Sequence, residues 1–115
     1  MNDTLVKLEC QKNVGIIRPE GEIIFDNSNP VKEEAKKKIR RNEVDKLIVD
    51  LRKVPYLDSS GVGFIISLFK FMRERNGELV VSSLNEKVKR VCELTRLNEI
   101  IEIFEDEEAA MEKLE

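Results

Sequence analysis

Residues 46–72 read KLIVDLRKVPYLDSSGVGFIISLFKFM, and how this stretch is read decides the fold. Leu47-Ile48-Val49-Asp50-Leu51 is a near-continuous apolar run of strand length. Such a run needs cover on both faces, which the middle of a parallel sheet supplies. A turn carrying Pro55 follows, then Asp58-Ser59-Ser60-Gly61, then a strongly apolar helix running to about Asn76-Gly77, with Gly77 as its stop. Ser and Asp suit a helix start because their side-chain oxygens accept hydrogen bonds from its free N–H groups. The same N–H groups and the helix dipole favour an anion there, a phosphate included. The unit is a strand–loop–helix with a hydroxyl pair at the mouth of the helix.

At about 100° per residue, Val62, Ile65, Ile66 and Phe69 share one side of that helix, the expected core face. Phe64, Leu68 and Phe71 form a second side, joined to the first by Met72. That side is either buried between sheet and neighbouring helices or partly exposed as an interface. The remaining strip is small or polar: Gly63, Ser67, Lys70 and Glu74. Small residues there leave backbone open close to Ser59, with room for a partner chain.

Outward from this unit the pattern alternates. Thr4–Glu9 and Asn13–Arg18 are strand candidates with Gln11-Lys12-Asn13 between them, which predicts a hairpin. Pro19-Glu20-Gly21 ends the second run, and Asp26-Asn27-Ser28-Asn29-Pro30 is a cap-and-turn cluster. The helix candidate at residues 31–42 carries Val31, Ala35 and Ile39 on one stripe. Its Lys36-Lys37-Lys38 and Arg40-Arg41 read as a solvated face with cations near the C-terminus. Glu33, Glu34, Glu43 and Asp45 flank that run, which argues against a nucleic-acid surface. Leu79–Val81 is a strand, Asn85 caps a helix with Val88, Val91 and Cys92, Ile100–Phe104 is the last strand, and residues 106–114 form an acidic-start helix. The order ββα followed by three βα units predicts an α/β domain with mostly parallel strands.

With 115 residues, the chain reads as one domain, residues 1–115, long enough to bury a core. Cys10 and Cys92 form no CxxC, so they read as small buried residues in a reducing compartment rather than as a disulfide or zinc framework. Histidine is absent, which removes Ser-His-Asp and Cys-His catalysis and any histidine metal ligand. Net charge is −3 with 37% charged residues of both signs, so no direct nucleic-acid partner is expected. Met1-Asn2-Asp3-Thr4 begins polar, without a signal-peptide pattern, and the apolar runs are too short for a bilayer. A soluble, cytoplasmic protein with no membrane partner, no metal and no cofactor of its own is expected.

Leu57-Asp58-Ser59-Ser60-Gly61-Val62-Gly63, after a hydrophobic strand ending in Asp50-Leu51, resembles the signature of the bacterial anti-sigma factor antagonists of the STAS class. Gly21-Glu22-Ile23 stands where that family has Gly-Glu-hydrophobic. Leu84–Arg90 and then Leu94, Leu97 and Ile100-Ile101 resemble its third helix and following strand, so the likeness runs over about residues 5–114. The chain departs from the pattern where Ile24-Phe25 precede Asp26, and where Glu86 and Arg96 replace a frequent Pro and Gly.

The resemblance implies a STAS-type fold: a mixed, mostly parallel sheet, about four helices and an N-terminal β-hairpin. It implies that Ser59 is phosphorylated by a partner kinase. The unphosphorylated chain would bind an anti-sigma factor with serine kinase activity and so free a sigma factor. That partner would hold the ATP and magnesium, and a serine phosphatase would reverse the mark. The chain would then be substrate and switch, with no catalytic residue. The expected partner-binding residues are Asp58, Ser60, Gly61, Gly63, Ser67 and Lys70. Asp58 reads equally as an orienter of Ser59 and as a helix cap, and Ser60 is the alternative acceptor. Tyr56 is expected to pack against the loop. The runner-up role is a scaffold or signalling subunit of a larger STAS-containing stress complex. A nucleotide-hydrolysing enzyme is disfavoured without a Walker A motif or a metal-ligand cluster.

Overall fold

The computed structural model describes residues 4–115, and the polar start at Met1–Asp3 lies outside the described residues. The two halves of the first hairpin are β1 (Leu5–Gln11) and β2 (Val14–Glu20), antiparallel with Gln11 opposite Val14. The turn is only two residues, Lys12 and Asn13, both at positive φ (49° and 70°). Two successive left-handed residues match the twist of the flanking strands, the geometry of a type I′ turn. β2 runs two residues beyond the expected Arg18 and takes in Pro19. The parallel ladder to the next strand stops at Ile17, so Pro19 faces no demand for a donor on that side.

The remaining elements are α1 (Ser28–Asn42), β3 (Lys46–Asp50), α2 (Ser59–Glu74), β4 (Glu78–Ser82), α3 (Glu86–Leu94), a 3₁₀ turn at Leu97–Glu99, β5 (Ile103–Phe104) and α4 (Glu107–Leu114). The five strands lie side by side in sequence order, with β2, β3, β4 and β5 parallel to one another. Ile16, Ile48 and Val80 align across β2, β3 and β4. β5 is shorter than expected. Ile101 is buried at the end of the 3₁₀ turn and Ile100 points out, so neither joins the ladder.

The sheet carries a core on each face. On one, Ile17, Leu47, Val49 and Val81 pack with Val31, Ala35 and Ile39 of α1, with α2, and with Val88 and Cys92 of α3. On the other, Val14, Ile16, Ile48 and Val80 are covered by Ala110 and Leu114 of α4. Burial on both faces is what the apolar run of β3 demands. Burial pushes the Cys92 thiol up to about 11, with Glu93 adding to it, whereas Cys10 is exposed on β1 and corrects the expectation of two buried cysteines.

The inward face of α2 also differs from expectation. Val62 and Ile65 are buried, but so are Phe64, Leu68 and Met72, while Ile66, Phe69 and Phe71 are only half-buried. The helix is covered twice, by the sheet and by α1. Phe71 lies beside Lys36 and Arg40, so the Phe64–Leu68–Phe71 side is the one that meets α1. At the far end of α2 the left-handed residue is Asn76 (φ 59°), not Gly77. Gly77 is needed for close approach instead: a Cβ there would sit 2.6 Å from the Asp45 carbonyl oxygen. Among the described residues no helix is long and apolar enough to cross a membrane.

Candidate functional site

The segments after β2 and after β3 are fastened to each other before either helix begins. Gly21 N–H donates to the Lys53 carbonyl (3.0 Å), Ile23 N–H to Tyr56 (3.2 Å), and Asp58 N–H to Ile23 (3.3 Å). Ile23 and Leu57 form an isolated parallel bridge and are both fully buried. Gly21 sits at φ +127°, a conformation open to glycine alone at little strain.

Asn27, 6% exposed, holds the first of these segments from inside. Its amide donates to the Glu22 carbonyl (2.9 Å) and Thr4 Oγ1 (3.0 Å), and its Oδ1 accepts from Ile24 N–H (2.9 Å). It stands at the start of α1 but caps no helix N–H with its side chain. Asn85 does the matching work on the second segment. Its Oδ1 caps α3 at Val88 N–H (2.8 Å) and its amide donates to the carbonyls of Val54 and Pro55 (3.3 and 3.1 Å). Tyr56, expected to pack against the loop, is 42% exposed and borders α3 beside Lys87, Arg90 and Val91.

On this frame α2 starts. Asp58 is in extended backbone and is the N-cap. Its Oδ1 accepts from Ser60 N–H (2.8 Å) and Gly61 N–H (3.3 Å), and its Oδ2 accepts from Phe25 N–H (3.1 Å). Of the two roles open for Asp58, the cap is the one this geometry fits, and the same carboxylate ties down the preceding loop. Both oxygens are engaged by backbone donors, so the carboxylate is turned toward its own chain. Ser59, the first residue of the helix, is exposed and Ser60 half-buried.

The other expected partner-facing residues divide. Gly63 is exposed with nothing within 4 Å of where a Cβ would lie, Ser67 is half-buried and Lys70 exposed, so a continuous strip runs down α2 from Ser59. Gly61 does not belong to it. A Cβ there would lie 2.5 Å from Leu57 Cβ and 2.7 Å from the Ile23 carbonyl oxygen, so Gly61 lets the helix seat on the paired loops. Across a shallow groove from Ser60, Gly63 and Ser67 stand Phe25, Ser28 and Lys32. Phe25 is 79% exposed. Sequence reasoning did not single it out as a site residue, and the signal was the insertion of Ile24-Phe25 before Asp26.

A second polar cluster lies at the C-terminal ends of β3 and β4. Asp50 is 1% exposed, and its Oδ2 accepts from the hydroxyls of Ser82 (3.0 Å) and Ser83 (2.7 Å) while Oδ1 accepts from Arg52 N–H (3.0 Å). A buried carboxylate so satisfied is tolerable where an unpaired one is not. Nearby, Arg18 donates to both oxygens of Glu107 (2.6 and 2.8 Å) and to Glu9. Hydrogen bonding by Arg18 holds the Glu107 carboxyl below the usual carboxylate range against the opposing effect of burial. This cluster clamps α4 to β2 and shares no residue with the α2 strip.

At the mouth of α2 the arrangement therefore offers an exposed hydroxyl, a helix N-terminus that tolerates negative charge, and an open strip for a second protein. The STAS domain family matches residues 6–110. An anti-sigma F factor antagonist of Paenibacillus polymyxa is 28% identical over 110 residues, 96% of this chain and 94% of that one. A Thermotoga maritima crystal structure, 28% identical, superposes with a TM-score of 0.86 over 94% of this chain and 92% of that one. The anti-sigma factor antagonist SpoIIAA of Bacillus shares the fold in its unphosphorylated form (20% identity, TM-score 0.77, 96% of each chain) and in its phosphorylated form (19% identity, TM-score 0.70, 96% and 100%).

Proposed function

The chain belongs to the STAS domain family, and we propose that it is an anti-sigma factor antagonist switched by phosphorylation of Ser59. In the unphosphorylated state it binds an anti-sigma factor through the α2 strip and so releases a sigma factor. The anti-sigma factor is also a serine kinase and holds the ATP and magnesium. The Ser59 hydroxyl oxygen attacks the γ-phosphorus, an O–P bond forms, ADP leaves, and the hydroxyl proton passes to the kinase. A serine phosphatase hydrolyses the ester and resets the switch. The chain works in the cytoplasm as one domain, as substrate and not as catalyst.

The single observation that carries this is the exposed Ser59 at the first position of α2. Phosphate adds roughly −1.5 to −2 of charge where the helix dipole favours anions by about 0.3–1 kcal/mol. Asp58 repels it, but that carboxylate is held toward Phe25, Ser60 and Gly61 N–H groups. The fold therefore tolerates the mark, and the effect falls on the interface. Reversing a complex from 99:1 to 1:99 requires about 5.5 kcal/mol of differential affinity. A dianion pressed without a cation against a surface shaped for a neutral hydroxyl is of that order.

The test is intact-mass analysis after incubation with the cognate kinase and ATP. One phosphate is expected on the native chain and none on Ser59→Ala, which should bind the anti-sigma factor constitutively. A phosphate on Ser59→Ala, or a Ser59 phosphoform bound as tightly as the bare chain, overturns the proposal.

A further inference from the structure

Three cations gather around one aromatic ring at the far end of α2. Lys36 Nζ lies 5.4 Å from the centroid of Phe71, the Arg40 guanidinium 5.5 Å and the Arg75 guanidinium 5.1 Å. Each is attracted by the ring quadrupole, but the ring carries no net charge and cannot neutralise them. No two are separated by much more than about 10 Å, the Debye length at 0.1 M salt, so they repel one another. The carboxylates on the packed elements leave that repulsion standing: of Glu33, Glu34, Glu43 and Glu74, only Glu34 makes an ion pair among the described residues, and its partner is Lys38. A chain of net charge −3 thus keeps a concentrated positive spot.

We propose that this spot is a docking site for an acidic segment, rich in Asp or Glu, of the protein that binds α2. The position supports that occupant. Phe71 follows Lys70 and lies about 100° around α2 from it, on the side that meets α1, so the spot borders the strip that starts at Ser59. Its flanks support it too. Exposed Glu33, Glu43 and Glu74 flank the cations in sequence, so a long polyanion such as a duplex or an anionic membrane is disfavoured relative to a short acidic segment. The site acts as a second anchor, about a dozen residues from the mark and indifferent to it. It rests on the reading above for who the partner is, but not for the chemistry of the surface.

An NMR titration of the ¹⁵N-labelled full chain with octaglutamate peptide at low ionic strength tests this. Shift changes are expected at residues 36–40 and 70–75. The triple variant K36Q/R40Q/R75Q should weaken binding at least about tenfold, as three charge contacts of modest strength allow, and Ser59→Asp should leave it unchanged. Failure to bind octaglutamate overturns the proposal. So do shifts centred on Lys87, Lys89 and Arg90, or tighter binding to duplex DNA or anionic vesicles of matched charge. If the Ser59 phosphorylation test fails while this titration succeeds, the acidic-segment site stands and the anti-sigma assignment falls.

Discussion

Gly61 and Gly63 are two residues apart on one helix and do opposite things. Gly61 has the Ile23 carbonyl and Leu57 against it, so Gly61→Ala must displace the paired loops. A loss of about 1–3 kcal/mol or more is expected in urea unfolding, as for overpacking elsewhere. Gly63 has open space, so Gly63→Ala meets nothing inside the chain. Removing a mid-helix glycine should raise stability by about 0.5–1 kcal/mol, while the added methyl weakens partner binding. A gain in stability together with intact affinity would remove Gly63 from the partner surface. Asp58→Ala loses the α2 cap and the tie to Phe25 N–H together. The expected cost is about 1–2 kcal/mol, checked by the same measurement, with Asp58→Asn retaining most of it.

Among the described residues α4 is the one helix covering its face of the sheet, so it reports on that face alone. Leu114→Ala should cost about 2–5 kcal/mol, the range for buried Leu truncations, with NMR shifts centred on Val14, Ile16, Ile48 and Val80 and little change at α2. The Arg18–Glu107 clamp adds a pH dependence. Glu107 has its folded pKa lowered by Arg18. Its contribution is therefore present above its unfolded value of about 4.3 and is lost as pH falls through the lowered folded value. Arg18→Gln should flatten the acid limb of a stability–pH curve below about pH 5 while costing about 1–3 kcal/mol at neutral pH. The element order, the hairpin and the loop before α2 were legible because periodicity, Pro and cap residues are local signals. What was not legible depended on distance. Asp50 meets Ser82 across 32 residues, and Arg18 meets Glu107 across 89. The deepest face of α2 was misjudged because a helix covered by both a sheet and α1 has no single apolar stripe to read. β5 was overextended because Ile100-Ile101 looks like strand but is drawn into a 3₁₀ turn.

At the scale of the whole molecule, both cores lie behind the site and neither includes Ser59. Phosphorylation of Ser59 should therefore move Tm by no more than a few degrees, since about 1 kcal/mol or less is at stake. Differential scanning calorimetry of the two forms checks this, and a large drop would show that the mark disturbs the scaffold. The paired segments after β2 and β3 form the seat of α2, because Gly61 packs against Leu57 and the Ile23 carbonyl. The start of α2 at an exposed Ser59 then carries one more consequence. Under the proposed role, a tag placed there leaves no refolding to be undone, so the chain would behave as a tally counter and not as a latch. Under that role, the share of chains open to a partner follows the tagged fraction.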